Sequence, residues 1–196
     1  MKKPGILALL LTIFVALSGC GQLPPEQAAD GLNWSENWIT VGSVLGVDTP
    51  EGLTPRENNK ALAANGMFYA TWSIGEPSPY VNADGEDATI YDAQIYVLLA
   101  GADSPEKAEG AMENWLAMAQ GQYDVSQTTT EICNGRAFTV ITYAYASEEN
   151  PYSGGASAFG LYRNHAISVE LSCQKDFSGN PSEILLDFLN HCHYST

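Results

Sequence analysis

The chain has 196 residues, of which 45% are apolar and 16% charged. That length fits one domain with at most a tail, and the composition excludes collagen, a coiled coil, a multi-span membrane protein and wholesale disorder. Acidic residues outnumber basic ones 23 to 8, a formal charge of −15. Nucleic-acid phosphates and anionic lipid headgroups would both be repelled by such a surface, so nucleic-acid binding is set aside.

Met1-Lys2-Lys3-Pro4-Gly5 precedes an apolar run from Ile6 to Leu17, broken only by Thr12. As a helix this run rises about 18 Å, short of a ~30 Å hydrocarbon core. A basic start and a short apolar stretch are the pattern of an export signal. Leu17-Ser18-Gly19-Cys20 follows and resembles the lipobox of bacterial lipoproteins. The resemblance implies that residues 1–19 are removed and that the Cys20 thiol carries a diacylglycerol. Acyl chains such as palmitate then anchor the protein on the cell membrane, facing outside; two chains hold stably where one binds reversibly. The mature chain keeps 6 basic against 23 acidic residues, a charge of −17, so the lipid, not a basic patch, supplies the anchoring. A cationic partner is compatible with this charge; so is the plainer reading that it keeps an exposed protein soluble.

Residues 20–33 read as a lipidated polar tether, and residues 34–196 as a single domain. Ile39 to Val47 is β-branched enough for a first strand, closed by the turn Asp48-Thr49-Pro50-Glu51-Gly52. The polar stretch 53–65 predicts at most a helical turn at Asn58–Ala64. Gly66–Ile74 and Ala88–Leu99 predict two strands joined by a long acidic loop. Asp103-Ser104-Pro105-Glu106 supplies an N-cap, a proline at the first helical position and early negative charge. Ala108, Ala111, Met112, Trp115, Leu116 and Ala119 then fall on one helical face, and Gly121 is placed to stop the helix. That face is read as sheet packing rather than as a ligand wall.

Glu131–Ala146 predicts one long strand with Phe138, Val140 and Thr142 on one side and Ile141, Tyr143 and Tyr145 on the other. Ser157–Tyr162 and Ala166–Cys173 predict a hairpin. Asn180-Pro181-Ser182-Glu183 caps a last helix whose inward face is Leu185, Phe188, Leu189 and Cys192. Antiparallel strands covered by helices define an α+β fold, an α/β/α-type sandwich. The order of elements resembles the PsbP/Mog1-like arrangement, a central antiparallel sheet between helices; no motif carries that resemblance, and no functional residue follows from it.

With Cys20 acylated, three cysteines remain in an oxidising compartment. Strand direction places Cys133 and Cys192 at one end of the domain and Cys173 at the other, which predicts a Cys133–Cys192 disulfide. Catalytic motifs are missing. Gly155-Ala156-Ser157-Ala158-Phe159 lacks the second glycine of a hydrolase elbow. His191-Cys192-His193 cannot converge on a metal while helical. The Asn82–Asp87 loop fails the spacing of a calcium-binding hand and reads as an Asp-Gly turn. No metal, cofactor or catalytic residue is therefore assigned. Tyr80 and Tyr152, in Pro/Gly-rich loops among acids and asparagines, are the candidate ligand contacts; such aromatics also serve simply to pin loops. The leading expectation is a non-enzymatic binding or assembly module with a protein or carbohydrate partner at the cell surface. The alternatives are an extracytoplasmic carbohydrate- or small-ligand-binding protein and a hydrolase with an unrecognised carboxylate pair.

Overall fold

A computed structural model describes residues 38–62, 66–82, 85–145 and 150–195. Cys20, its tether and Trp34 lie outside them. The strands are β1 (Ile39–Val41), β2 (Leu45–Val47), β3 (Thr54–Leu62), β4 (Met67–Ile74), β5 (Ser78–Val81), β6 (Asp87–Ile90) and β7 (Ala93–Gly101). Helix α1 (Pro105–Gln122) follows, then β8 (Tyr123–Cys133), β9 (Arg136–Tyr145), β10 (Gly154–Tyr162), β11 (His165–Cys173), α2 (Pro181–Asn190) and β12 (Cys192–Tyr194). The fold is mostly antiparallel β with two helices. Seven strands form the main sheet in the order β3-β4-β7-β11-β10-β9-β8, while β1-β2-β12 and β5-β6 make two small sheets.

Alternation along the central strands creates two cores. Ile95, Val97 and Leu99 of β7, with Val169 and Leu171 of β11, face α2 and the three-stranded sheet, where Leu185, Phe188 and Leu189 are buried. Leu98, Ala100, Phe159 and Ala166 point the other way, toward Trp115 and Ala119 of α1. Phe138 and Val140 join the first core, and Ile141 and Tyr143 the second, as the alternation predicts. Trp115 is a packing residue, only 3% exposed. Trp72 meets Phe188 edge-on at 4.9 Å, and its indole donates to Thr49 Oγ1. Two helices of 18 and 10 residues cover this wide sheet only in part.

Both helix starts form where their caps predict. Ser104 Oγ accepts from Lys107 N–H ahead of Pro105, and Asn180 Oδ1 accepts from Ser182 N–H ahead of Pro181. Asn180 Nδ2 also donates to Glu183 Oε1. Gly121 does not end α1, which continues to Gln122 and passes directly into β8. The long predicted strand at 131–146 is instead a hairpin. Asn134 and Gly135 both take positive φ, 44° and 75°, and turn β8 back onto β9, the conformation that Asn-Gly adopts without strain. The predicted first strand is likewise split into β1 and β2, at Gly42 with φ 59°.

The largest correction lies at residues 54–62, which form an exposed edge strand rather than a helical turn. Its pairing with β4 slips between Glu57 and Lys60, and Asn59 sits at φ 45°. Asn58 and Asn59 lend their amide oxygens to Thr40 N–H and Gly42 N–H. The asparagines that weaken β propensity thus serve a bulge and secure β1. The acidic loop after β4 also holds the β5–β6 hairpin. The tail past α2 is strand β12, so His191-Cys192-His193 is not helical beyond the cap residue His191.

The sheet has two distinct ends. The lower end gathers Gly101, Tyr162 and His165, the Cys133–Arg136 turn and the start of β4. The upper end gathers Ile74, Ala93, Tyr145 and Cys173. Cys133 and Cys192 share the lower end, and Cys173 sits at the upper one, as the strand directions predict. All three are buried free thiols in this structure.

Candidate functional site

Two hollows stand out, one on each face of the sheet. The first lies between α1 and the sheet beside Trp115, Tyr96, Phe159 and Glu170, and holds about 30 Å³. That is roughly the share of one liquid water molecule, far below the 300–1,000 Å³ of ligand pockets. Its chemistry is structural. Glu170 Oε1 accepts from the hydroxyls of Tyr123 (3.3 Å), Tyr143 (3.1 Å) and Tyr145 (3.0 Å), and from Ser172 Oγ (3.3 Å). Tyr123 stacks on Tyr143 with ring centres 4.1 Å apart, and Tyr145 meets both edge-on. Burial pushes the phenols of Tyr123, Tyr143 and Tyr145 up, and the charge of Glu170 pushes them further.

One carboxylate thus satisfies three phenols that hold the start of β8, β9 and β11 together. Glu170→Gln keeps the shape but replaces charge-assisted bonds by neutral ones. It is expected to cost about 2 kcal/mol, lowering the melting temperature by roughly 5 °C. An unchanged melt would show that the cluster contributes nothing beyond packing.

The second hollow is an open groove of about 340 Å³ at the upper end, on the α2 face. Leu53, Ile74, Phe177 and Ile184 form its apolar floor; all are partly buried against the main core. Three acidic residues, Glu51, Glu183 and Asp187, line it with them, and all three are exposed. Local structure fixes each part. Gly52, at φ 85°, turns the chain so that Glu51 and Leu53 face α2. Glu183 and Asp187 are one helical turn apart on the outer side of α2, opposite buried Leu185 and Leu189. The groove joins apolar area to negative charge, which suits a cationic group carried next to an apolar one.

The two candidate tyrosines lie elsewhere. Tyr152 is 7% exposed and donates to Gln94 Oε1 at 3.2 Å, which ties its loop to β7. Tyr80 lies in β5 on the small hairpin. Neither tyrosine lines either hollow. The histidines around Cys192 part company: His191 Nδ1 contacts Asp187 O at 2.9 Å, while His193 stacks on Trp38 at 4.4 Å. Among the described residues, no three His, Cys, Asp or Glu side chains gather as metal ligands, and no helix is long and apolar enough to cross a membrane. Ser157 is buried within β10. The groove was missed in the sequence because Leu53, Ile74, Phe177 and Ile184 come from four separate segments. Its signal in the sequence is limited to the spacing of Glu183 and Asp187 at i and i+4 on α2.

No family model matches the chain, and no curated protein matches it. Among solved structures it is similar to cyanobacterial PsbP (CyanoP) from Synechocystis sp. PCC 6803. The TM-score is 0.46 at 12% identity, over 89% of this chain and 99% of that one. It is also similar to a protein from Bacteroides thetaiotaomicron VPI-5482, with a TM-score of 0.37 at 9% identity over 81% of this chain and 47% of that one.

Proposed function

We propose that the protein is a non-enzymatic binding module, held outside the cell membrane through diacylglycerol on Cys20. Its upper groove receives a segment of a partner protein that presents lysine or arginine beside a large apolar side chain. The supporting observation is the groove itself, an apolar floor of Leu53, Ile74, Phe177 and Ile184 with Glu51, Glu183 and Asp187 beside it. Apolar burial supplies affinity, and the carboxylates select against acidic partners.

The test uses a synthetic peptide of alternating lysine and leucine, titrated by calorimetry and by thermal shift. A saturating peptide at about 100 times its Kd raises stability by about 2.7 kcal/mol. Binding is expected to weaken with salt and to fall at least about tenfold in Glu183→Gln/Asp187→Asn. Binding unaffected by that double variant removes the groove from the account. The small-ligand reading draws on the same groove, whose volume lies at the lower edge of ligand pockets. A saturable shift with a sugar, and none with the peptide, would favour it.

A further inference from the structure

We infer that the lower end of the domain docks on an anionic lipid surface, with the acidic upper end and its groove turned away from the membrane. The mature chain has six lysines and arginines, Arg56, Lys60, Lys107, Arg136, Arg163 and Lys175. Lys60 and Lys107 are paired with Glu57 and Asp103, and Arg56 donates to Ser73 Oγ. Arg136 and Arg163 form no ion pair among the described residues. Both lie over one ring, that of Tyr162, at 4.7 and 5.3 Å, and Arg136 also lies 5.5 Å from Tyr194. Both arginines are exposed.

Arg163 takes φ 54° in the two-residue turn between β10 and β11. Asn or Gly would adopt that backbone with less strain. The turn thus holds the charge of Arg163 beside that of a second arginine from a different hairpin. The contacts continue from Tyr162 to Tyr194, and from neighbouring His193 to Trp38. The same end exposes Ile132 to 69%. Carboxylates at this end include Glu131 beside Cys133, Asp103 and Glu106 where α1 begins, and Asp48, whose N–H donates to His191 O; Asp103 is held by Lys107. The upper end by contrast exposes Glu76, Glu86, Asp87, Asp92, Asp124 and Asp176, with Lys175 beside the last of them.

The occupant follows from where the chain enters. Residues 20–37 lead from the expected lipid attachment to Trp38, which packs at this lower end. A tether entering beside aromatic and cationic side chains presents that face to headgroups, where Trp, Tyr and Arg are favoured. The net charge of −17 on the mature chain opposes approach to anionic lipid, so docking depends on the lower end facing the surface and on tethering, which supplies the local concentration that two arginines alone would not.

This inference rests on the anchoring reading for orientation, but its test does not. The mature chain, residues 20–196, is coupled through Cys20 to a maleimide lipid in vesicles; the other three thiols are buried. Quenching of tryptophan fluorescence by a nitroxide-headgroup lipid then reports docking. Adding phosphatidylglycerol to phosphatidylcholine is expected to raise the docked-to-undocked ratio roughly 30-fold, and high salt to reverse it. Arg136→Glu/Arg163→Glu should abolish the gain with an unchanged melt, while Arg136→Lys/Arg163→Lys should keep most of it. Equal quenching in both lipid mixtures, or a gain that survives charge reversal, overturns the inference. Mass spectrometry of Cys20 from cells decides the anchor separately, whatever the vesicles show.

Discussion

Raising the pH to about 11 is expected to unfold the protein cooperatively, with its tyrosines ionising in the same step. Tyr96, Tyr123, Tyr143, Tyr145 and Tyr194 all have phenols pushed above the ordinary value of 10.0, in each case chiefly by burial. The negative charge of Glu170 adds to the shift at the first four. A phenol that is harder to ionise when folded leaves the native state holding more protons than the unfolded chain above pH 10. Stability is therefore complete below that value and falls as the pH climbs toward the folded pKa. At about pH 11 each such tyrosine withdraws about 1.4 kcal/mol, so five together withdraw about 7 kcal/mol. That matches much of the 5–15 kcal/mol by which domains are stable. Burial also pushes the Cys173 thiol up to about 12 and acts in the same direction. The measurement is absorbance at 295 nm beside far-ultraviolet circular dichroism. Coincident sharp transitions are expected; gradual ionisation near pH 10 with the circular dichroism intact would contradict the burial of this cluster.

The same tyrosines show what the sequence could and could not reveal. Period-two alternation placed Tyr143 and Tyr145 on one face of β9 and Phe138 and Val140 on the other, because a buried sheet forces that separation. Ser104-Pro105 and Asn180-Pro181 placed both helix starts, since capping is a local property of a few residues. Meeting Glu170 was not legible: Tyr123, Tyr143 and Tyr145 come together on its carboxylate only through the order β11-β10-β9-β8. The edge strand β3 was hidden for the opposite reason. Its residues are polar because solvent covers them, and its asparagines serve β1 across the fold rather than their own segment. The upper groove and the paired arginines are likewise products of tertiary assembly. Asn134-Gly135 is the exception, a strong local turn signal lying inside what otherwise reads as one continuous strand.

Folding in the presence of oxidised glutathione is expected to close one disulfide, between Cys133 and Cys192, and to leave Cys173 as a thiol. Both partners lie at the lower end, where Asn134 Nδ2 donates to Cys192 O at 2.6 Å and Asn134 N–H donates to Asn190 Oδ1 at 3.1 Å. Cys133 lies close enough to push the Cys192 thiol further up. Cys173 sits at the far end of β11, roughly 27 Å away along the strand, beyond the ~7 Å that a bridge allows between Cα atoms. In closing the bond the two thiols give up two protons and two electrons, and one glutathione disulfide is reduced to two thiols. Burial, then the neighbouring Cys133, pushes the Cys192 thiol well above its ordinary value, which starves the folded protein of the attacking thiolate. The bond should therefore form readily during folding and very slowly once the native core has closed around reduced thiols. Its loop of about 60 residues gives about 4 kcal/mol of stabilisation in the chain-entropy account. Cys133→Ser/Cys192→Ser should lose that amount against the oxidised protein, and little of it against the reduced one. Peptide mapping decides the pairing: a bridge containing Cys173, or three thiols alkylated after unfolding the oxidatively folded protein, would refute it.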